Sequence, residues 1–120
     1  MEIPILQVGK ILIVSIQTEI NDREVLALQD RLLKKLKATA SQGIIIDLSA
    51  VEIVDSFMCR TLHDIGKMAY LMGAKVVNTG ITAPVAIAMT ELGIDSNTIM
   101  TKLSLDKGIS YLESLVVDKC

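Results

Sequence analysis

The sequence predicts an α/β fold, with a mixed, mostly parallel sheet and four helices in one domain over residues 1–120. Segments with strand patterns alternate with segments of helical periodicity, which is typical of such a sheet. The run Gly43–Ser49 is apolar on successive positions and too short for a helix, so it indicates a strand buried on both faces. The length of 120 residues also fits one hydrophobic core. The predicted order is β-β-α-β-α-β-α-β-α.

Two strands and a helix are predicted before this central strand. Pro4–Gln7 and Lys10–Ile16 have strand patterns, and Val8-Gly9 between them is a plausible hairpin turn. A helix follows Asn21, because Asn21 is a favourable N-cap and Glu24 completes a capping box. The apolar stripe of this helix consists of Val25, Leu28, Leu32 and Leu36.

A second helix is predicted over Asp55–Met72. Asp55 is its N-cap, because a carboxylate at this position accepts a hydrogen bond from the free backbone N–H groups of the first turn. Gly73 suits the left-handed conformation that follows many helix ends. The inward stripe of this helix consists of Met58, Leu62, Ile65, Ala69 and Met72.

The last third of the chain completes the alternation of strands and helices. Ala74–Thr79 is the next predicted strand. A third helix is capped by Thr82 and runs to Gly93, with proline tolerated in its first turn. Thr98–Leu103 and Ser104–Asp118 are the last predicted strand and helix.

Composition and charge exclude several classes of function. Lys and Arg number 12 and Asp and Glu number 14, and this net charge of −2 argues against a nucleic-acid partner. No apolar run approaches the roughly 20 residues that span a bilayer, so we expect no membrane segment. The N-terminus lacks signal-peptide features and two distant cysteines do not form a disulfide framework, which predicts a cytoplasmic protein. A mean hydropathy of +0.50 indicates an apolar contact surface and self-association.

Candidate functional residues lie where the strands end and the next helices begin, because ligands and reactive groups collect at this edge of a parallel sheet. The two junctions are Val51–Ser56 and Asn78–Thr82. A phosphate on Ser56 would meet free N–H donors and the positive end of the helix dipole. It would also add about −1.5 to −2 charges beside Asp55, and so change partner binding more than stability. By itself, however, Asp-Ser at a helix start is usually only a cap.

The sequence offers little for metal binding or catalysis. Cys59 and His63 share a helix face, but a tetrahedral zinc site needs three or four ligands and the chain has no other histidine. Cys59 is therefore predicted to be a small packed side chain. Nothing orients Asp47, Asp55 and His63 together for acid–base chemistry. We expect no metal, no cofactor and no enzymatic activity.

The stretch from Ile44 to Ser56, IIIDLSAVEIVDS, resembles the signature of STAS domains, the anti-sigma factor antagonist family. That signature runs strand, Asp-Leu-Ser, short apolar loop and Asp-Ser at a helix start. The predicted element order is also the STAS order over the whole chain. Many members continue with a second small residue and glycine, whereas Phe57 and Met58 stand here. Asp-Ser-Phe and the run Leu71–Val77 are similar to the RsbS subgroup, the stand-alone scaffold of the stressosome.

The resemblance implies a phospho-switch scaffold rather than an enzyme. A partner kinase phosphorylates the family serine that corresponds to Ser56. RsbS-type proteins assemble with RsbR-type sensors into a particle that holds an RsbT-type serine/threonine kinase until phosphorylation releases it, and an RsbX-type phosphatase resets the site. Thr79 matches a position that is phosphorylated in the sensor-bearing relatives. Phe57, Arg60 and Thr61 surround Ser56 and are candidates for docking the kinase.

Two other functions remain open at this stage. The chain would act as a simple anti-sigma factor antagonist if it binds an anti-sigma kinase only when unphosphorylated. It would act as a ligand-binding STAS module if it binds a nucleotide or another small molecule. Without the resemblance, the residues indicate only a cytoplasmic α/β domain.

Overall fold

Five strands and four helices follow one another in the predicted order in the computed structural model of the chain. It describes residues 3–17, 19–94 and 99–117, with the backbone alone for 116 and 117. The strands are β1 (Ile5–Val8), β2 (Ile11–Ser15), β3 (Gly43–Asp47), β4 (Lys75–Thr79) and β5 (Thr101–Lys102). The helices are α1 (Asp22–Thr39), α2 (Ser56–Leu71), α3 (Ala83–Glu91) and α4 (Leu105–Val117).

The strands form one sheet in the order β1-β2-β3-β4-β5. β1 and β2 form an antiparallel hairpin, and each later pair is parallel. The hairpin turn lies at Gly9 and Lys10, one residue later than predicted, because β1 extends to Val8. The parallel register aligns Ser15 with Asp47, Asp47 with Thr79 and Thr79 with Lys102. The carboxyl ends of four strands therefore meet along one edge of the sheet.

The sheet is covered on both faces. Residues of α1, α2 and α3 pack on one face in the larger core cluster, and Leu112 of α4 packs on the other. Ile44 and Ile46 belong to the first cluster and Ile45 to the second, and none of the three is exposed to solvent. This double burial explains the continuous apolar run of β3 and confirms its prediction as a central strand. Within the described ranges, no helix combines the length and apolar character needed to cross a membrane.

The end of α2 differs from the predicted apolar stripe. Met72 was predicted to point inward, but its side chain is exposed. α2 ends at Leu71, and the chain then turns at Gly73 with a φ of +88°. Met72 therefore lies beyond the last helical residue, where the helical repeat no longer sets the direction of the side chain. Leu92 has the same position after α3, before the positive-φ Gly93.

The last strand is shorter than predicted. β5 contains only Thr101–Lys102, because backbone pairing with β4 is limited to Asn78 and Thr79. Thr98, the predicted start of the last strand, and Asp118, the predicted end of the last helix, lie outside the described residues.

Candidate functional site

Ser56 begins α2 and its side chain is exposed. Asp55 precedes it as the N-cap in an extended conformation, and its Oδ1 accepts a hydrogen bond of 2.8 Å from the backbone N–H of Met58. The predicted cap is therefore confirmed. The Ser56 hydroxyl lies at the positive end of the helix dipole, where first-turn N–H groups have no intrahelical acceptor.

The capping bond of Asp55 has a measurable effect on stability. We expect Asp55→Ala to lower the free energy of unfolding by about 1 kcal/mol, because the backbone N–H of Met58 loses its acceptor. Asp55→Asn keeps an acceptor oxygen and should retain most of that stability. Urea unfolding followed by circular dichroism measures both variants. Equal losses in the two variants would contradict a capping role.

Side chains of the β4–α3 junction hold the loop between β3 and α2. The Asp47 carboxylate accepts hydrogen bonds from the Ser49 hydroxyl at 2.6 Å and from the Thr79 hydroxyl at 2.8 Å. Thr82 is at the N-cap position of α3, but its side chain makes no capping bond. Its hydroxyl donates instead to the Val51 carbonyl at 2.9 Å. These bonds tie the loop that leads to α2 to the neighbouring strand and helix.

Gly80 allows the two junctions to approach each other closely. Its φ is +68°, and a Cβ atom at this position would lie 2.8 Å from the Cβ of Ser49. The backbone N–H of Leu48 also donates to the Thr79 carbonyl at 2.8 Å. Both the conformation and the contact therefore require glycine.

Thr79, the second predicted phosphorylation site, is 0 % exposed. Its hydroxyl donates to Asp47, and its Cγ2 lies 2.8 Å from where a Cβ on Gly108 would be. A kinase can reach this hydroxyl only after its bond to Asp47 breaks and the side chain becomes exposed. In the folded structure Thr79 supports the turn instead of presenting a phosphate acceptor.

The three predicted docking residues differ in exposure. Arg60 is exposed, and Phe57 is half-buried against the larger core cluster. Thr61 is 4 % exposed and its hydroxyl donates to the Phe57 carbonyl at 2.9 Å. The prediction for Thr61 is corrected, because a side chain beneath the surface offers almost no area to a partner. Among the three, Arg60 offers the freest surface beside Ser56.

Two exposed apolar residues near Ser56 were missed by the sequence reasoning. Ile53 is 65 % exposed in the loop before α2. Leu92 lines a shallow depression of about 180 Å³ together with Ser56, Arg60 and His63. Ile53 was detectable in principle, because a short loop that already buries Val51 leaves a nearby apolar residue little access to the core. Leu92 lies far from Ser56 in the chain, so no local pattern could place the two residues together.

Cys59 is a packed side chain, as predicted, with 1 % of its surface exposed. Burial raises the pKa of the Cys59 thiol, and the nearby Asp55 charge raises it further. The thiol is therefore neutral near pH 7 and is a poor nucleophile. The described residues contain no group of three or more His, Cys, Asp or Glu side chains arranged to hold a metal ion.

Comparison with known proteins gives matches over most of the chain. The family model for the STAS domain matches residues 2–108. A serine-to-glutamate variant of RsbS from Moorella thermoacetica is 39 % identical with a TM-score of 0.84, over 95 % of this chain and 97 % of that chain. A chain from a study entitled "Molecular architecture of the stressosome, a signal integration and transduction hub" is 38 % identical with a TM-score of 0.77, over 94 % of this chain and 98 % of that chain.

A longer relative also matches. The RsbT co-antagonist protein RsbRA of Bacillus subtilis is 32 % identical over 82 residues, which are 68 % of this chain and 30 % of that protein. The chain therefore spans less than a third of the length of this relative.

Proposed function

Because the chain belongs to the STAS domain family, we propose that it is a phospho-switch scaffold of a stressosome-type particle in the cytoplasm. It assembles with RsbR-type STAS proteins, holds an RsbT-type serine/threonine kinase and releases that kinase when Ser56 is phosphorylated. An RsbX-type phosphatase removes the phosphate. The chain is the substrate of these enzymes and has no catalytic activity of its own. The likeness to RsbS and to a stressosome chain, each over more than nine tenths of both chains, supports this role.

The exposure of Ser56 at the start of α2 carries the proposal. In the transfer step, Ser56 Oγ bonds to the γ-phosphorus of ATP, the hydroxyl proton passes to a base of the kinase, and ADP leaves. The new phosphate adds about −1.5 to −2 charges beside the exposed Asp55. It would alter the surface that faces the kinase without entering the core, so the scaffold stays folded while the kinase dissociates.

Assembly with copies of STAS chains is supported by apolar side chains outside the core. Scattered exposed apolar residues are usual, but several here are large and lie on neighbouring positions of one element. They include Leu6 and Val8 on the edge strand β1, and Tyr70 and Leu71 at the end of α2. Such surfaces are suited to contacts between subunits.

Reconstitution tests the proposed role directly. The chain is mixed with the RsbR-type and RsbT-type proteins of its host, and particles are separated by size-exclusion chromatography. We expect the kinase in the large-particle fraction before ATP and Mg²⁺ are added and in the free fraction afterwards, with a non-hydrolysable ATP analogue as control. A kinase that stays bound after Ser56 is fully phosphorylated would refute the switch. A small complex in place of a particle would indicate the simple antagonist.

Ile53 is expected to contribute to kinase binding. It is exposed in the loop three residues before the phosphate acceptor, so we place it in the surface that the kinase contacts when it reaches Ser56 Oγ. We expect Ile53→Asp to weaken kinase binding about tenfold, because a charge would be buried without a partner in the interface. Leu71→Asp is the matched control, since Leu71 is 84 % exposed at the opposite end of α2, about 22 Å away along the helix.

Isothermal titration calorimetry with the RsbT-type kinase and each purified variant measures this difference. An equal loss of affinity in the two variants would contradict docking through Ile53.

A further inference from the structure

A cavity of about 340 Å³ lies between the second half of α2 and the β4 side of the sheet. Its apolar wall is formed by Leu62, Val76, Ile99 and Met100. Ser56 does not line it, so the cavity is separate from the phosphorylation site. Its volume falls within the usual range of small-molecule sites.

A buried amide oxygen in this cavity lacks a hydrogen-bond partner. Asn78 is 1 % exposed and lines the cavity from β4. Its Nδ2 donates to the Met100 carbonyl at 3.5 Å, but its Oδ1 accepts no hydrogen bond. Such an atom is unfavourable inside a protein unless something else supplies the donor.

Asn78 is a polar side chain among buried apolar neighbours. Its register partner on β3 is Ile46, and Val76 lies two residues before it on the same face of β4. Both are buried apolar side chains of the larger core cluster. An apolar residue at position 78 would continue this cluster without leaving an unpaired oxygen. The position is therefore better explained by a ligand with an N–H or O–H donor than by packing.

The polar part of the lining carries positive charge. Lys67 and Lys75 both line the cavity, as do His63 and Tyr70. The described lining contains no acidic residue. Lys75 also lies 6.0 Å from the centroid of the Tyr111 ring, on the α4 side of β4. The Lys75 ammonium therefore faces α4, and Lys67 is the cation that would attract an anion to the opening of the cavity.

We propose that this cavity binds a small organic anion with three parts. An apolar body packs against Leu62, Val76 and Met100. An N–H or O–H group donates to Asn78 Oδ1. A carboxylate lies near Lys67. The site is independent of the phospho-switch, and it is predicted to bind its ligand whether or not Ser56 carries phosphate.

Indole-3-acetate is a suitable probe, because it combines a flat apolar body, one N–H donor and one carboxylate. The probe is titrated into the ¹⁵N-labelled full chain, and the backbone amide signals of Leu62, Val76 and Asn78 are followed by NMR. We expect saturable shifts of these signals. 1-Methylindole-3-acetate lacks only the donor and should bind about tenfold more weakly, because the amide oxygen then stays unpaired. The methyl ester of indole-3-acetate lacks the charge and should also bind more weakly.

Asn78→Leu tests the proposal through two readouts, ligand affinity and the Tm, and the Tm needs no ligand. We expect this variant to bind indole-3-acetate at least about tenfold more weakly and to have a higher Tm than the parent chain, since the unpaired oxygen is gone. A lower Tm would mean that the amide stabilises the fold without a ligand, through its bond to Met100 or through a buried water, and would overturn the proposal. The absence of saturable shifts at millimolar probe, or equal affinity for the N-methyl compound, would overturn it as well. None of these three results would bear on phosphorylation of Ser56.

Discussion

Replacing Ser56 with alanine is expected to abolish phosphate incorporation by an RsbT-type kinase and to leave the kinase bound to the particle. The substitution removes only the hydroxyl that accepts the phosphate. The side chain is exposed and alanine is a strong helix former, so the free energy of unfolding should change by less than about 0.5 kcal/mol. Intact-mass spectrometry after incubation with ATP and the kinase measures the gain of phosphate, and size-exclusion chromatography measures kinase release.

Ser49→Ala is the matched control for this experiment. Ser49 is another exposed serine at the same edge of the sheet, but its hydroxyl is occupied as a donor to Asp47. We expect Ser49→Ala to gain one phosphate like the parent chain. A phosphate on Ser56→Ala would place the acceptor elsewhere and contradict the proposal. Thr79→Val in the Ser56→Ala background would then show whether the buried Thr79 hydroxyl had become accessible.

Gly80→Ala is expected to lower the free energy of unfolding by about 3 kcal/mol. One part of this loss is the left-handed conformation, since a Cβ at a φ of +68° costs about 1–2 kcal/mol. The other part is steric, because the new Cβ would lie 2.8 Å from the Cβ and 3.2 Å from the Cα of Ser49. Urea unfolding followed by circular dichroism gives the value.

Gly93→Ala separates the two contributions. Gly93 has a φ of +83° but nothing within 4 Å of the added Cβ, so only the conformational cost of about 1 kcal/mol is expected. The double variant Gly80→Ala/Ser49→Gly should recover part of the steric loss, because the nearest side-chain atom is removed. Equal losses for Gly80→Ala and Gly93→Ala would show that the contact between the two junctions contributes nothing.

The capping residues and apolar stripes were predictable because they depend on near neighbours in the chain. The capping box of Asn21 and Glu24 is present at the start of α1 with both hydrogen bonds. Asp55 caps α2 for the same reason, since its acceptor reaches an N–H only three residues later. The predicted α1 stripe of Val25, Leu28, Leu32 and Leu36 is fully buried.

Helical periodicity predicted the wrong exposure for a residue beyond the end of a helix and for a polar residue that neighbouring segments cover. Met72 continues the predicted α2 stripe by its spacing, but it follows the last residue of the helix and is exposed. Thr61 is polar, and its nearness to Ser56 in the chain favoured a surface position. It is buried nevertheless, with its hydroxyl satisfied one turn back by Phe57. An apolar stripe indicates which face of a helix is buried, but it does not show which other segments of the folded chain cover the remaining faces.

Local patterns were enough to establish the α/β element order, the burial of β3 and the place of Ser56 at a helix start, since hydrophobic periodicity and capping act over a few residues. The role of Thr79 was beyond their reach, because its partner Asp47 lies 32 residues earlier in the chain. The unpaired oxygen of Asn78 and the cavity around it likewise arise where α2 and β4 pack together. Such features depend on strand pairing and helix packing, which bring distant segments together, and they emerge only from the folded chain.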